Sequence, residues 1–330
     1  MTITQILIYI LLGLALFALF AYITFMLVKG VRKARAVGKK IFTVDLLFQS
    51  IVFGVLFLYM LTIFFALFWG LMTSLKGLGD FGRNYLFDLP EKLEVSNYWT
   101  ALKLFKVPVA RDGEIVKITF LGLIVNSVFF SVGETIVRVL CPAIVAYLVA
   151  RFDFKFGKVV YWIVIMAMIL PIVGTTHSAI MLYKKLNLHN NILGVLLGDA
   201  SFLGMYFLIF HGVFKTLPKD YAEAAVLDGA GNTTIMFKIM FPMMLNMLAI
   251  VAVLVFIAVW NDYSTIMYFL PAKPNLAYGL YLYNINPDGT LSQTPLRLVG
   301  CVVMCLPCLI LFLIFKNKMI GNLSLGGLKG

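Results

Sequence analysis

Between Leu46 and Leu75 the chain runs for 30 residues without a charged side chain. A helix needs about 20 predominantly apolar residues to cross the hydrocarbon core of a bilayer, so this run suits lipid rather than the interior of a soluble domain. It is one of several. Comparable stretches are Ile3–Val28, Ile118–Ala150 (interrupted by Glu134 and Arg138), Val159–Tyr183 (with Pro171 inside), Asn191–Phe214 (with Asp199), Ile239–Asn261 (with Pro242) and Leu298–Phe315. Of the 330 residues, 62% are hydrophobic and 13% charged, against about 45–50% and about 25% in soluble domains. Disordered, collagen-like and disulfide-scaffold classes are excluded. Membrane barrels need strands that alternate polar and apolar residues, and these runs do not alternate. The expectation is an all-α integral membrane protein with seven spans. The opening stretch lacks the basic start and small-residue cleavage site of a signal peptide, so Ile3–Val28 is read as the first span.

Charge sets the expected orientation. The net charge is +12, and in a membrane protein this reads as basic cytoplasmic loops rather than nucleic-acid binding. With residues 29–45 inside, the inner segments (29–45, 151–158, 215–238 and 316–330) carry 15 Lys and Arg, the outer ones 11. Most of the outer count lies in the long loop Lys76–Lys117, which also holds six acids. The amino terminus is therefore expected outside and the carboxyl terminus inside. Cys141, Cys301, Cys305 and Cys308 all sit in apolar stretches and are expected to be buried thiols.

The inner loop after the fifth span carries the most information. It reads Leu217-Pro218-Lys219-Asp220-Tyr221-Ala222-Glu223-Ala224-Ala225-Val226-Leu227-Asp228-Gly229-Ala230-Gly231-Asn232. Pro218 suits a first helical turn, and Asp220 and Glu223 favour the positive end of the helix dipole. Gly229 fits the position just after a helix, where φ is commonly positive. Asn232 or Thr233 can cap a following helix. The local expectation is a short cytoplasmic helix, a tight turn and a second helix leading into the sixth span.

The string Glu223-Ala224-Ala225, Asp228-Gly229-Ala230, then Ile239 and Pro242, resembles the EAA signature of ABC-importer permeases. Other positions extend the resemblance: Thr73-Ser74-Leu75-Lys76, Asn97-Tyr98, Asn126-Ser127, Ala146-Tyr147, Arg151-Phe152 with Phe154, Trp260-Asn261-Asp262, and the ending Gly326-Gly327-Leu328-Lys329-Gly330. Residues of about 46–330 resemble the six-helix permease of a binding-protein-dependent carbohydrate importer, of the type of the second maltose permease. Residues 1–45 then add one transmembrane helix and a basic cytoplasmic linker. The resemblance implies ATPase coupling through Glu223, Ala224, Ala225, Asp228 and Gly229 in a loop of residues 215–240. It also implies a contact of Lys329 and Gly330, in a tail of residues 316–330, with the ATPase pair. The implied partners are a second homologous permease, two ATPase subunits and an extracytoplasmic sugar-binding protein, in the cytoplasmic membrane and in contact with its lipid. Asn322 stands where the family often has glycine. A glycerol phosphate or polyol importer is the alternative cargo class, and an ion-coupled secondary transporter the alternative mechanism.

Catalytic chemistry is not indicated. A phosphate-binding loop requires Gly-x4-Gly-Lys-Ser/Thr, and Gly38-Lys39-Lys40 lacks both the leading glycine and the hydroxyl. ATP and magnesium are therefore expected on partner ATPases, with no cofactor, metal or catalytic residue in this chain. Gly229-Ala230-Gly231 has no preceding strand. Cys301-x3-Cys305-x2-Cys308 copies an iron–sulfur spacing but falls on an apolar helix, and His177, His189 and His211 lack partners at metal-ligand spacing.

Charges inside a membrane cost roughly 2.5–3.5 kcal/mol each on insertion scales and point to function. Glu134 and Arg138 stand four apart and can pair on one helix face. They form either a structural ion pair or part of a substrate path. Trp260 and Asn261 combine a stacking surface with hydrogen-bonding groups, which suits a sugar, while a Trp at the membrane interface explains the first of them equally well.

Overall fold

The computed structural model describes residues 43–83, 88–111, 113–152, 154–170, 174–285 and 293–323, with isolated helical positions between 18 and 29. Apart from those positions, the expected first span lies outside the described residues, as do Pro171 and the ending that contains Lys329 and Gly330.

The chain divides into two compact units, Met1–Ala101 with Asp288–Val302, and Leu102–Pro287 with Val303–Gly330. In the first, helix α1 (Thr43–Ser74) is apolar on every side. Phe48, Val55, Tyr59 and Phe64 are all more than 60% exposed, a surface that only lipid or a partner helix can cover. Tyr22 stacks on Phe53 of this helix with centroids 4.3 Å apart. Beyond α1 come α2 (Leu78–Arg83) and α3 (Ser96–Leu104). The last carbonyls of a helix need partners, and Asn97 supplies them: its Nδ2 donates to the carbonyls of Ser74 at 3.0 Å and Lys76 at 2.7 Å. The Ser74 and Tyr98 hydroxyls meet at 2.9 Å. The Thr73–Lys76 and Asn97-Tyr98 strings are thus two halves of one buried lock.

The second unit begins with an antiparallel hairpin, β1 (Lys106–Arg111) and β2 (Glu114–Thr119), in the register Lys106↔Thr119 to Arg111↔Glu114. Gly113 occupies its turn at φ 87°. This corrects the all-α expectation. The hairpin lies in the long loop after α1, where Val107 and Val109 in one strand and Val116 and Ile118 in the other, paired Val107↔Ile118 and Val109↔Val116, alternate with their neighbours around Asp112-Gly113 and carry a strand-and-turn signal. Long helix α4 (Phe120–Arg151) follows, then α5 (Lys155–Ile169), α6 (Thr176–Lys185), α7 (Ile192–Gly198) and α8 (Met205–Thr216). After these come α9 (Asp220–Leu227), α10 (Asn232–Ile235), a π-helical turn at Met236–Met240, α11 (Phe241–Met243), α12 (Leu245–Trp260), α13 (Ser264–Phe269), α14 (Leu276–Ile285) and α15 (Thr294–Leu323).

Among the described residues, the helices long and apolar enough to cross a membrane are Phe48–Ser74, Phe120–Arg151 and Thr294–Lys318. Asn232–Met243 and Leu245–Trp260, bent by 74°, make a fourth if they form one span. Two other apolar runs are broken. Val159–Tyr183 divides into α5 and α6, with Leu170 extended at φ −77°, ψ 114°, the conformation that a following proline imposes. Asn191–Phe214 divides into α7 and α8, with Gly204 between them at φ 139°, ψ −175°, a region essentially restricted to glycine.

The core of this unit is built around α4, which packs on α8 and α12. Phe130, Ala143, Ala146, Phe207, Phe210, Phe214, Val251 and Val255 are buried there. Two polar residues fasten α4 to the start of α14. Asn126 donates to the Pro274 carbonyl at 2.9 Å, and the Ser127 hydroxyl accepts from the Leu276 amide at 2.8 Å. Cys301 and Cys305 are exposed on α15 rather than buried, because that helix turns much of its apolar surface outward.

Candidate functional site

The segment from Leu217 to Phe241 folds largely as its sequence suggests. Helix α9 starts at Asp220, so Pro218 falls two residues before it, and Asp220 and Glu223 occupy its first turn. Its end is a complete Schellman motif. Gly229 has φ 81°, its amide donates to Val226 at 3.0 Å, and the Ala230 amide donates to Ala225 at 2.9 Å. A Cβ on Gly229 would meet nothing within 4 Å, so backbone conformation, and not space, demands glycine here. Capping of the next helix differs from expectation: Gly231 holds the cap position with no side-chain bond, and Asn232 is already helical.

Glu223, Ala224 and Asp228 are exposed, whereas Ala225 is buried against the unit's own core. The small Ala225 side chain lets α9 lie close to that core. The outward surface also carries Tyr221, Val226 and Leu227, and Leu227 is 88% exposed.

Both ends of this segment are tied to the end of α4. The Arg151 Nη2 donates to the Leu217 carbonyl at 2.8 Å and lies 3.8 Å from the Met240 sulfur. One turn earlier, Tyr147 packs edge-on against Phe152, Phe214 and Phe241. Leu217 immediately precedes the α9 segment and Met240 closes the π-helical turn that follows it. Single π-helical turns inside helices are rare and recur at functional positions. The sequence places Tyr147 and Arg151 at the end of another apolar run, with Arg151 66 residues before Leu217, and nothing in it reveals that they grip both ends.

The charges expected inside the membrane form a larger cluster than the pairing of Glu134 with Arg138. Arg138 Nε donates to Glu134 Oε2 at 3.0 Å, the anticipated pairing. Arg138 also donates through Nη2 to Asp199, 61 residues away. Glu134 is fully buried, while the Arg138 and Asp199 side chains are about one-third exposed, at 33% and 31%. Arg138, Asp199 and Tyr206 line a cavity of about 230 Å³. The Glu134 Oε1 and Ser131 Oγ atoms are buried and have no partner among the described residues.

Trp260 is 2% exposed, stacks on Phe256 with centroids 5.7 Å apart, and donates its indole N–H to Met304 at 3.0 Å. In this conformation its ring fastens α12 to α15. Asn261 beside it is exposed and donates to the Ile257 carbonyl at 2.7 Å. Asp262 caps α13, accepting from the amides and hydroxyls of Ser264 and Thr265. Burial pushes its carboxyl up, but these four hydrogen bonds outweigh that and hold it below its ordinary value.

Comparison with known proteins covers most of the chain. Residues 139–323 match the family described as binding-protein-dependent transport system inner membrane component. The chain is 26% identical over 293 residues to the diacetylchitobiose uptake system permease protein NgcG of Streptomyces coelicolor, covering 86% of this chain and 89% of that protein. It is 31% identical over 213 residues to the arabinooligosaccharides transport system permease protein AraQ of Halalkalibacterium halodurans, covering 62% and 73%. The fold is similar to that in the crystal structure of a bacterial ABC transporter involved in the import of the acidic polysaccharide alginate. There the TM-score is 0.63 at 20% identity, over 82% of this chain and 97% of that one. With more than half its length matched, and with the glycine-terminated helix between its apolar runs, the chain belongs to the family of inner membrane components of binding-protein-dependent transport systems.

Proposed function

We propose that the chain is a permease subunit that moves a carbohydrate, most simply an oligosaccharide, across the cytoplasmic membrane, driven by separate ATPase subunits. The relatives support the cargo class: their names cite diacetylchitobiose, arabinooligosaccharides, and melibiose, raffinose and stachyose. Residues 46–330 form the permease domain. Residues 1–45 add a transmembrane helix and a basic linker, giving seven spans with the amino terminus outside.

The observation that carries the reading is α9 with its Schellman end, held at both flanks by the end of α4. Glu223, Ala224, Ala225, Asp228 and Gly229 make the ATPase-facing element, with Glu223 and Asp228 as acidic contacts. Leu227 offers it an apolar anchor. Lys329 and Gly330 add a tail contact. A displacement of α9 reaches α4 through Leu217 and Met240 at Arg151, so closure of the ATPases biases the unit toward one of its two states, which is what coupling requires. The substrate path is lined by Arg138, with Glu134 behind it, and by Asn261, with Trp260 fixing its position. The remaining partners are a second permease and an extracytoplasmic binding protein.

The test is reconstitution of the assembled importer in vesicles. Sugar-loaded binding protein should stimulate ATP hydrolysis and sugar uptake together. Uptake driven by an ion gradient without ATP would favour a secondary transporter instead.

A further inference from the structure

A cavity of about 660 Å³ lies where the end of α4, the start of α5 and the end of α8 meet. Lys155, Lys158, Lys215, His211, Tyr161 and Trp162 line it, and no acid does among the described residues. Three features point to an anion. The three lysines are exposed and form no ion pair with the described residues. Helix α5, 15 residues long, begins at Lys155 with Phe154 in the cap position and no side-chain acceptor, which leaves the positive end of its dipole open to a negative group. His211 is 7% exposed yet makes no hydrogen bond to a described residue. It is held between Phe207, whose ring centroid is 5.8 Å away, and Tyr161 at 4.9 Å.

The surroundings point to lipid. Trp162 is 62% exposed, and the same face of α5 continues into exposed Val159, Ile163 and Met166, a surface along which acyl chains can lie. Tryptophan is enriched at the level of lipid headgroups, and basic pockets between helices at the cytoplasmic surface suit anionic headgroups. We propose that this cavity binds the phosphodiester of an anionic phospholipid. The lysines and the α5 amino terminus surround the phosphate, His211 donates a hydrogen bond to it, and Tyr161 and Trp162 mark the boundary between headgroup and chains. The proposal rests on the reading of the chain as a membrane permease with residues 151–158 at the inner surface.

The test is native mass spectrometry of the full chain in detergent. The chain is titrated separately with phosphatidylglycerol, with phosphatidylcholine of the same acyl chains, and with inorganic phosphate. Phosphatidylglycerol should be retained selectively. Replacing Lys155, Lys158 and Lys215 together by Gln should weaken its retention by roughly fivefold per lysine, about a hundredfold in all. Replacing all three by Arg should preserve it, and a melting curve for each variant separates lost binding from lost folding. Equal retention of both lipids, or unchanged retention by a folded Gln variant, overturns the site. Inorganic phosphate bound as tightly as the lipid shows a free-anion site and overturns the lipid assignment. Retention is read without partner chains or transport, so failure of the importer reading would leave these outcomes intact, and the reverse holds as well.

Discussion

The guanidinium of Arg151 donates to the carbonyl of Leu217 at 2.8 Å, and the same nitrogen lies 3.8 Å from the Met240 sulfur. One side chain at the end of the longest buried helix thus holds both flanks of the segment that presents Glu223 and Gly229. Arg151→Met keeps the bulk and removes the donor. Loss of a hydrogen bond from a charged group costs roughly 1.5–3 kcal/mol. The expected outcome is a folded subunit whose complex hydrolyses ATP with reduced sugar uptake per ATP, and Arg151→Lys should fall between it and the parent. A wild-type ratio of uptake to hydrolysis in Arg151→Met would remove Arg151 from the transmission route.

The Glu134–Arg138–Asp199 cluster sets an order of severity. Glu134→Leu leaves the Arg138–Asp199 pair intact and should be mild. Arg138→Leu strands two carboxylates, one of them fully buried, and breaking such a pair costs roughly 3–5 kcal/mol. Thermal melts of the purified variants give the comparison. If Glu134→Leu is the more damaging, the buried carboxylate has a role beyond pairing.

Asp262 carries a pH signature. Its folded pKa is depressed, so its contribution to stability is present above the ordinary aspartate value of about 3.9. That contribution is lost as pH falls through the lower folded value. Asp262→Asn keeps an oxygen that can cap α13 but cannot ionise there, and should flatten this part of the acid limb in a melting series. An unchanged limb would place the acid sensitivity elsewhere.

Much of this was readable from the chain, for reasons that differ by element. Helices α1, α4 and α15 contain long apolar runs, broken in α4 only by Glu134 and Arg138, and hydropathy finds them directly. The breaks in the runs that begin at Val159 and Asn191 are not legible in hydropathy. A long apolar window does not register a local proline or a glycine at φ 139°, although Pro171 and Gly204 stand in plain view. The Lys106–Thr119 hairpin is hard to read because its alternation lies inside a charged loop, although Asp112-Gly113 is a usable turn signal. The Gly229 turn was legible because few residues tolerate positive φ. The Arg138–Asp199 pair was not, since contacts 61 residues apart leave no periodicity.

Topology can be settled by labelling. Single cysteines at Thr2 and within Ala34–Gly38, in a chain whose own thiols have been replaced, are treated from outside intact cells with a reagent that does not cross membranes. Seven spans with the amino terminus outside require labelling at the first site only. The reverse pattern contradicts both the count and the Lys/Arg orientation.

The most direct test of the coupling assignment is sugar uptake by the reconstituted importer carrying Gly229→Val or Glu223→Lys, scored beside co-purification of the ATPase. Gly229 has open space around it but φ 81°. Valine there is therefore strained by conformation alone, by about 1–2 kcal/mol or more for a β-branched residue. It should displace the end of α9 without a clash. Glu223→Lys reverses an exposed acidic contact and should weaken docking most at low salt, where screening is least. The account expects both variants to lose uptake and to release or uncouple the ATPase while still docking binding protein. Full uptake in both would contradict it.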